Sequence, residues 1–234
     1  MTQNYLGGYY VVKQKPIDFG SKTSKVIYSC SDCINDHILD HWAYSWTTDN
    51  NSRIEDIKSE YHLGDENVHS IRQWVDAAHY GKRIGWINLF YDLSVAKEYI
   101  QNFFSHLPDL KIMSVYFPGF EISRLLSEFR PTGENMGAIG LYENLVRRIP
   151  EAEKSNEFYI GYDIVGIEID GGFHTSYCHD ISDSLAEKFN LEINEYGLFQ
   201  ETADWEPLIR YMNAEENGFE PVPWFVCKTK LVNE

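Results

Sequence analysis

The stretch that most limits what this chain can fold into lies between residues 162 and 178. Residues 162–170 read YDIVGIEID, β-branched and alternating apolar with polar toward the end, and Asp170-Gly171-Gly172 follows with residues that tolerate positive φ. Residues 173–178 then return as a second extended run, so the segment predicts a tight β-hairpin.

Other runs have the same β-branched and aromatic character. Residues 9–14 (YYVVKQ) and 26–30 (VIYSC) predict two strands, paired as a hairpin across the loop holding Pro16 and Gly20. Residues 83–90 (RIGWINLF) and 110–117 (LKIMSVYF) predict strands flanking a helix over 93–107, a strand-helix-strand unit of the crossover kind. Residues 222–232 close the chain with another strand, and Pro221 and Pro223 place its start at a sheet edge or confine them to its first residues.

Helical spacing appears in Ile38, Leu39, Trp42 and Trp46, and again in Val68, Ile71, Trp74, Val75 and Ala78 before Gly81. Further helices are predicted over 121–129 and 139–149, one through Leu185 and Phe189 capped by Asp180 or Ser182, and one through Leu208 and Met212 capped by Asp204. The fold class is therefore α/β or α+β, a mixed sheet with helices packed on it and a hairpin near 162–178. The exposed loop PEAEKSN at 150–156 divides a mixed α/β lobe, 1–150, from an acidic α+β lobe, 151–234, with a single domain as the alternative. At 234 residues the chain is long enough to bury a full core without disulfides or metal.

Net charge is −16, and its distribution is more informative than its size. Residues 1–30 carry four Lys and one Asp, and residues 31–150 carry 11 basic and 17 acidic groups. Residues 151–220 carry 17 acidic groups against Lys154, Lys188 and Arg210, and the remainder holds Lys228, Lys230 and Glu234. Such an excess argues against a nucleic-acid or anionic-membrane partner and for a basic protein partner or plain solubility. The acidic residues Asp180, Asp183, Glu187, Glu195 and Asp204 are interleaved with Tyr177, Tyr196, Phe199 and Trp205. Rings beside unpaired charge are what a steered protein interface uses, so these nine are the predicted binding residues. The rival reading of the rings is that they pack inward as helix and strand anchors.

Chemistry-bearing runs are few. Cys30, Cys33, His37 and His41 fall within twelve residues, but on one helix the first and last of Cys33, His37 and His41 stand two turns apart and cannot reach one ion. His174 and Cys178, on one strand, stand too far apart for a nucleophile and its base, and His179 follows directly. Asp163, Glu168 and Asp170 are carboxylates with nothing in sequence to drive their pKa values apart. The glycines at 133, 137 and 140 lack the Lys-Ser/Thr of a phosphate loop and a leading strand. No catalytic residue, metal site or cofactor is predicted. The N-terminal residues lack a basic-then-apolar leader, and the four cysteines read as reduced thiols, so the expected location is cytoplasmic. The expected function is an acidic, immunity-type inhibitor that neutralises a basic protein such as a toxin. The alternatives are an enzyme with a His/Cys or carboxylate site and a nucleic-acid-mimicking inhibitor.

Overall fold

A computed structural model describes residues 3–14, 27–31, 33–38, 51–80, 83–84, 89–132, 139–152, 156–169, 172–202 and 204–233. Six strands form one sheet: β1 (Asn4–Gln14), β2 (Asn35–His37), β3 (Lys111–Pro118), β4 (Glu157–Ile167), β5 (Phe173–Thr175) and β6 (Trp224–Val232). Their order is β2-β1-β3-β6-β4-β5, and every pairing is antiparallel. The last strand thus lies at the centre, joining the strands that precede residue 150 to those that follow it.

Register assigns the two faces. On β6, Trp224, Val226 and Val232 alternate with Phe225, Cys227 and Leu231, and both sets are buried. The first face is covered by α1 (Asn51–Glu60), α2 (Asp65–Tyr80) and α3 (Leu93–Tyr99) over β1 and β3, where Ile57, Ile71, Val75 and Tyr99 meet Tyr9, Val11 and Tyr116. The same face carries α6 (Ser182–Phe189) and α7 (Glu206–Met212) over β4 and β6, where Leu185, Leu208 and Met212 meet Ile164, Trp224 and Val226. The opposite face is covered by α4 (Gly119–Glu128) and α5 (Ile139–Arg147), whose Ile122, Leu125, Leu141 and Leu145 pack on Val115, Phe117 and Phe225. Burial on both faces explains why β1, β3 and β6 read as nearly unbroken apolar runs instead of alternating ones.

Two bulges let the sheet bend. At Gly161 φ is +147°, and a Cβ there would stand 2.4 Å from Leu198 Cβ, so both the backbone and the space require glycine.

The class is α+β with the expected 162–178 hairpin as β4–β5, although β5 is only three residues long. The sheet is antiparallel throughout, not mixed. The two described ends of the expected 83–90 strand pair with each other: Ile84 bridges Phe90, and the Tyr91 amide donates to the Arg83 carbonyl at 3.0 Å. Phe90 meets the sheet, exchanging two 2.9 Å backbone hydrogen bonds with Tyr9. Residues 27–30 are likewise not a strand, and β1 pairs with β2 and β3 instead. The helix expected from residue 35 begins as β2, because Ser31 closes a single turn and the chain then straightens against β1. Its remainder, with Leu39, His41, Trp42 and Trp46, lies outside the described residues, as do Asp170, Gly171 and the glycine turn at 133–138.

Candidate protein-binding surface

The acidic part of the chain forms one layer. Helices α6 and α7 and the segment between them send Leu185, Phe189, Leu191, Ile193, Phe199 and Trp205 into a shared apolar cluster on β4 and β6. With the apolar side turned to the sheet, the carboxylates of the same segments face water. Asp180, Glu187, Glu192, Glu195, Glu201, Asp204, Glu206, Glu215 and Glu216 are all exposed. Over 180–216 only Lys188 and Arg210 oppose them, and Arg210 pairs with Glu206 while the Lys188 ammonium lies 3.4 Å from the Tyr211 ring centroid.

Three of the four rings expected at this surface are buried instead, so the expectation of exposed anchors is corrected for them. Tyr177 packs with Ile27 and Ile34 and donates its hydroxyl to the Gly197 carbonyl at 2.8 Å; burial first, and Asp163 second, push its pKa up. Phe199 exchanges backbone hydrogen bonds of 2.8 and 2.9 Å with Tyr162 on β4, which turns its side chain inward. Trp205 is buried with its ring 5.1 Å from that of Tyr162. For Phe199 and Trp205 the reason is that the covered face of β4 and β6 needs large rings to fill the layer, whereas Tyr177 fills a separate small cluster with Ile27 and Ile34.

Tyr196 alone stays half-buried, on a turn built by Asn194, whose Oδ1 accepts the Tyr196 and Leu198 amides at 2.9 and 3.2 Å. Its ring lies 6.5 Å from that of Phe158, which is 39% exposed at the start of β4, where the neighbouring Tyr159 is 42% exposed before the strand becomes buried.

The acidic residues hold the layer's turns. Asp180 takes a left-handed φ of +54° after the short 3-10 turn Ser176–His179. It does not cap α6, and neither does Ser182, whose hydroxyl pairs with that of Ser176 at 2.7 Å. Asp183 lies half-buried in the first turn of α6, where a negative charge suits the helix dipole. Asp204 accepts the Glu206 amide at 3.0 Å at the entry of α7, and Glu187 and Glu195 are exposed.

The histidines and carboxylates of the chemistry-bearing runs are separately engaged. His174 lies 2.6 Å from Glu168 across the hairpin, and His179 pairs with Glu220 beside the Phe219 and Trp224 rings. Residues 173–178 are not one strand: β5 ends at Thr175, and Cys178 closes a capping box with Thr175 instead of sharing a face with His174. Asp163 is buried and accepts Ser29 Oγ at 2.7 Å, Thr175 Oγ1 at 2.8 Å and the Cys30 amide at 3.2 Å. Burial raises its pKa and these donors oppose the rise. It ties the segment at 29–31 to the sheet and does not meet a second carboxylate as a catalytic pair. Among the described residues no group of three His, Cys, Asp or Glu is placed to hold a metal ion.

One polar centre was invisible in the sequence. On the sheet face between the two helical groups, Lys228 Nζ lies 2.8 and 3.0 Å from the Glu151 carboxylate oxygens, and Lys230 Nζ lies 2.7 Å from Glu151. Asn4 Nδ2 donates to Glu151 at 2.7 Å, and Tyr116 donates its hydroxyl to Glu157 at 2.9 Å. Burial works against the Glu151 charge, but the bonds from Lys228, Lys230 and Asn4 outweigh it and lower the pKa. The Tyr9 hydroxyl nearby is pushed up to about 12, by burial and then by Glu157. The two lysines of β6 are therefore engaged inside the fold, with Glu151.

No helix among the described residues is long and apolar enough to cross a membrane. Compared with known proteins, the chain matches no family model, no curated protein and no solved structure.

Proposed function

We propose that this chain is an acidic binding protein that neutralises a basic protein partner, in the manner of an immunity protein blocking a toxin. The observation that carries the reading is the layer at 180–216, nine exposed carboxylates against two cations, of which Arg210 pairs with Glu206 and Lys188 lies against the Tyr211 ring. Such a field attracts a Lys- or Arg-lined cleft over roughly a Debye length, about 8–10 Å at physiological salt, and raises the encounter rate. Tyr196 and Phe158, adjacent and partly exposed, serve as the aromatic contact, and Glu187, Glu195 and Asp204 form the charged rim.

The test begins with capture of partners from source cells at low salt, their identification, and stopped-flow association of the purified pair. The association rate is expected to fall about tenfold or more between about 20 and 200 mM salt, within the range electrostatic steering gives. Charge reversal at Glu187, Glu195 and Asp204 together should slow association while the dissociation rate changes little. A rate indifferent to salt, or to that reversal, overturns the proposal.

A further inference from the structure

The four cysteines, at positions 30, 33, 178 and 227, converge on one short segment although they span most of the chain. Cys30 and Cys227 are wholly buried with their sulfurs 3.7 Å apart. Cys33 and Cys178 form a second thiol pair, directly hydrogen-bonded, and here Cys33 is exposed and Cys178 half-buried. Ser31 supports this pair from below: its hydroxyl accepts the Cys33 amide at 3.2 Å and lies 3.4 Å from Cys178 Sγ. The Thr175 amide donates to Cys178 Sγ at 3.4 Å, so the sulfur is held in a fixed 3-10 turn while Cys33 sits on a short loop turn. The bond to Cys33 first, and burial second, push the Cys178 thiol well up, and of the two sulfurs Cys33 is the one exposed to a solvent-borne oxidant.

We propose that Cys33 and Cys178 are a reversible redox-modification site, in which hydrogen peroxide oxidises Cys33 and Cys178 resolves the product to an intramolecular disulfide. The Cys33 thiolate attacks the terminal peroxide oxygen, the O–O bond breaks, and the leaving oxygen departs as water after taking a proton; sulfur is oxidised to the sulfenic acid and the peroxide is reduced. Cys178 Sγ, giving up its proton, then attacks Cys33 Sγ; the S–O bond breaks, the S–S bond forms, and the hydroxide leaves with that proton as a second water. A dithiol restores both thiols by exchange. Cys30 and Cys227, closed off from solvent, take no part and act as an internal reference. The bond ties the segment at 29–38 to the turn two residues before Asp180, where the acidic layer begins.

The experiment is a brief pulse of hydrogen peroxide on the whole protein, quenched by an alkylating reagent in denaturant and read by peptide mass spectrometry. Alkylatable thiols should fall from four to two, with a Cys33–Cys178 cross-linked peptide that dithiothreitol abolishes. In Cys178→Ser the reaction should stop at a Cys33 sulfenic acid trapped by dimedone, and Cys33→Ser should lose no thiol. An intermolecular Cys33 disulfide, Cys33 driven to sulfinic acid without a cross-link, or a Cys30–Cys227 bond with Cys33 still alkylatable overturns the proposal. The thiol count and cross-link in the unmodified protein decide it even where a variant does not fold.

Discussion

Replacing Glu151 by Gln removes the charge that two buried lysines share. The Glu151 side chain is 14% exposed, Lys228 19% and Lys230 8%, so the ammonium groups cannot simply turn to water. After the change Lys230 keeps Glu157 only at 3.8 Å, and the new amide can accept from one lysine while its NH2 group faces the other. Removing one member of a buried ion pair costs about 3–5 kcal/mol, because the remaining charge is left uncompensated. The residual exposure of Lys228 favours the lower end, about 3 kcal/mol. For a chain of this length that is a fall in Tm of roughly 6–12 °C. The assay is urea and thermal unfolding of both proteins at pH 7.

The pH dependence identifies the cause. Glu151 has a folded pKa below the ordinary 4.5, so its contribution is complete above 4.5 and is lost as pH falls through the folded value. The difference between the two proteins should therefore shrink on acidification below 4.5, as the carboxyl takes up the proton that makes it resemble the amide. Glu206→Gln is the control: its pair with Arg210 is 74–76% exposed and is worth at most about 0.5 kcal/mol. A Glu151→Gln loss under about 1 kcal/mol at pH 7, or one that persists undiminished in acid, refutes the buried-charge account.

Two further substitutions examine the scaffold. Gly161→Ala puts a methyl 2.4 Å from Leu198 Cβ at a φ of +147°, and should cost about 2–3 kcal/mol in urea unfolding; a loss below about 0.5 kcal/mol would mean the bulge is not constrained as described. Asp163→Asn tests the buried carboxylate. Burial raises the folded pKa above 3.8, so ionised Asp163 carries a penalty at pH 7 that is relieved as pH falls through the folded value. The unmodified protein should gain stability relative to Asp163→Asn between pH 7 and pH 4 in parallel urea titrations, and a slope of the opposite sign defeats the assignment.

The elements legible in the sequence are those whose pattern is local. Helix α2 shows Val68, Ile71, Val75 and Ala78 at helical spacing, and the 162–178 hairpin shows its turn residues. Helix α1 is silent because NSRIEDIKSE offers only Ile54 and Ile57 to the core. Strand β2 was read as helix because three residues cannot display a period of two, and Ile38 entered a helical spacing completed by residues beyond it. The Glu151–Lys228 pairing joins residues 77 apart through the register of a central strand, and each partner by itself looks like an ordinary surface charge.

The acidic layer is legible in the sequence by its charge but not in the burial of its rings, and the two outcomes have one cause. Residues 177–205 alternate acid and aromatic because each segment has a wet side and a side that must cover β4 and β6. Phe199 and Trp205 are spent on that covering and Tyr177 on Ile27 and Ile34, which leaves Tyr196, Phe158 and Tyr159 as the partly exposed rings near the carboxylates. On the proposed function, recognition by this surface would depend more on fixed charge than on inserted rings, with its selectivity in the association step. Long-range attraction discriminates by the sign and spacing of the partner's cations, so basic proteins of different shape but similar charge should compete for the same face.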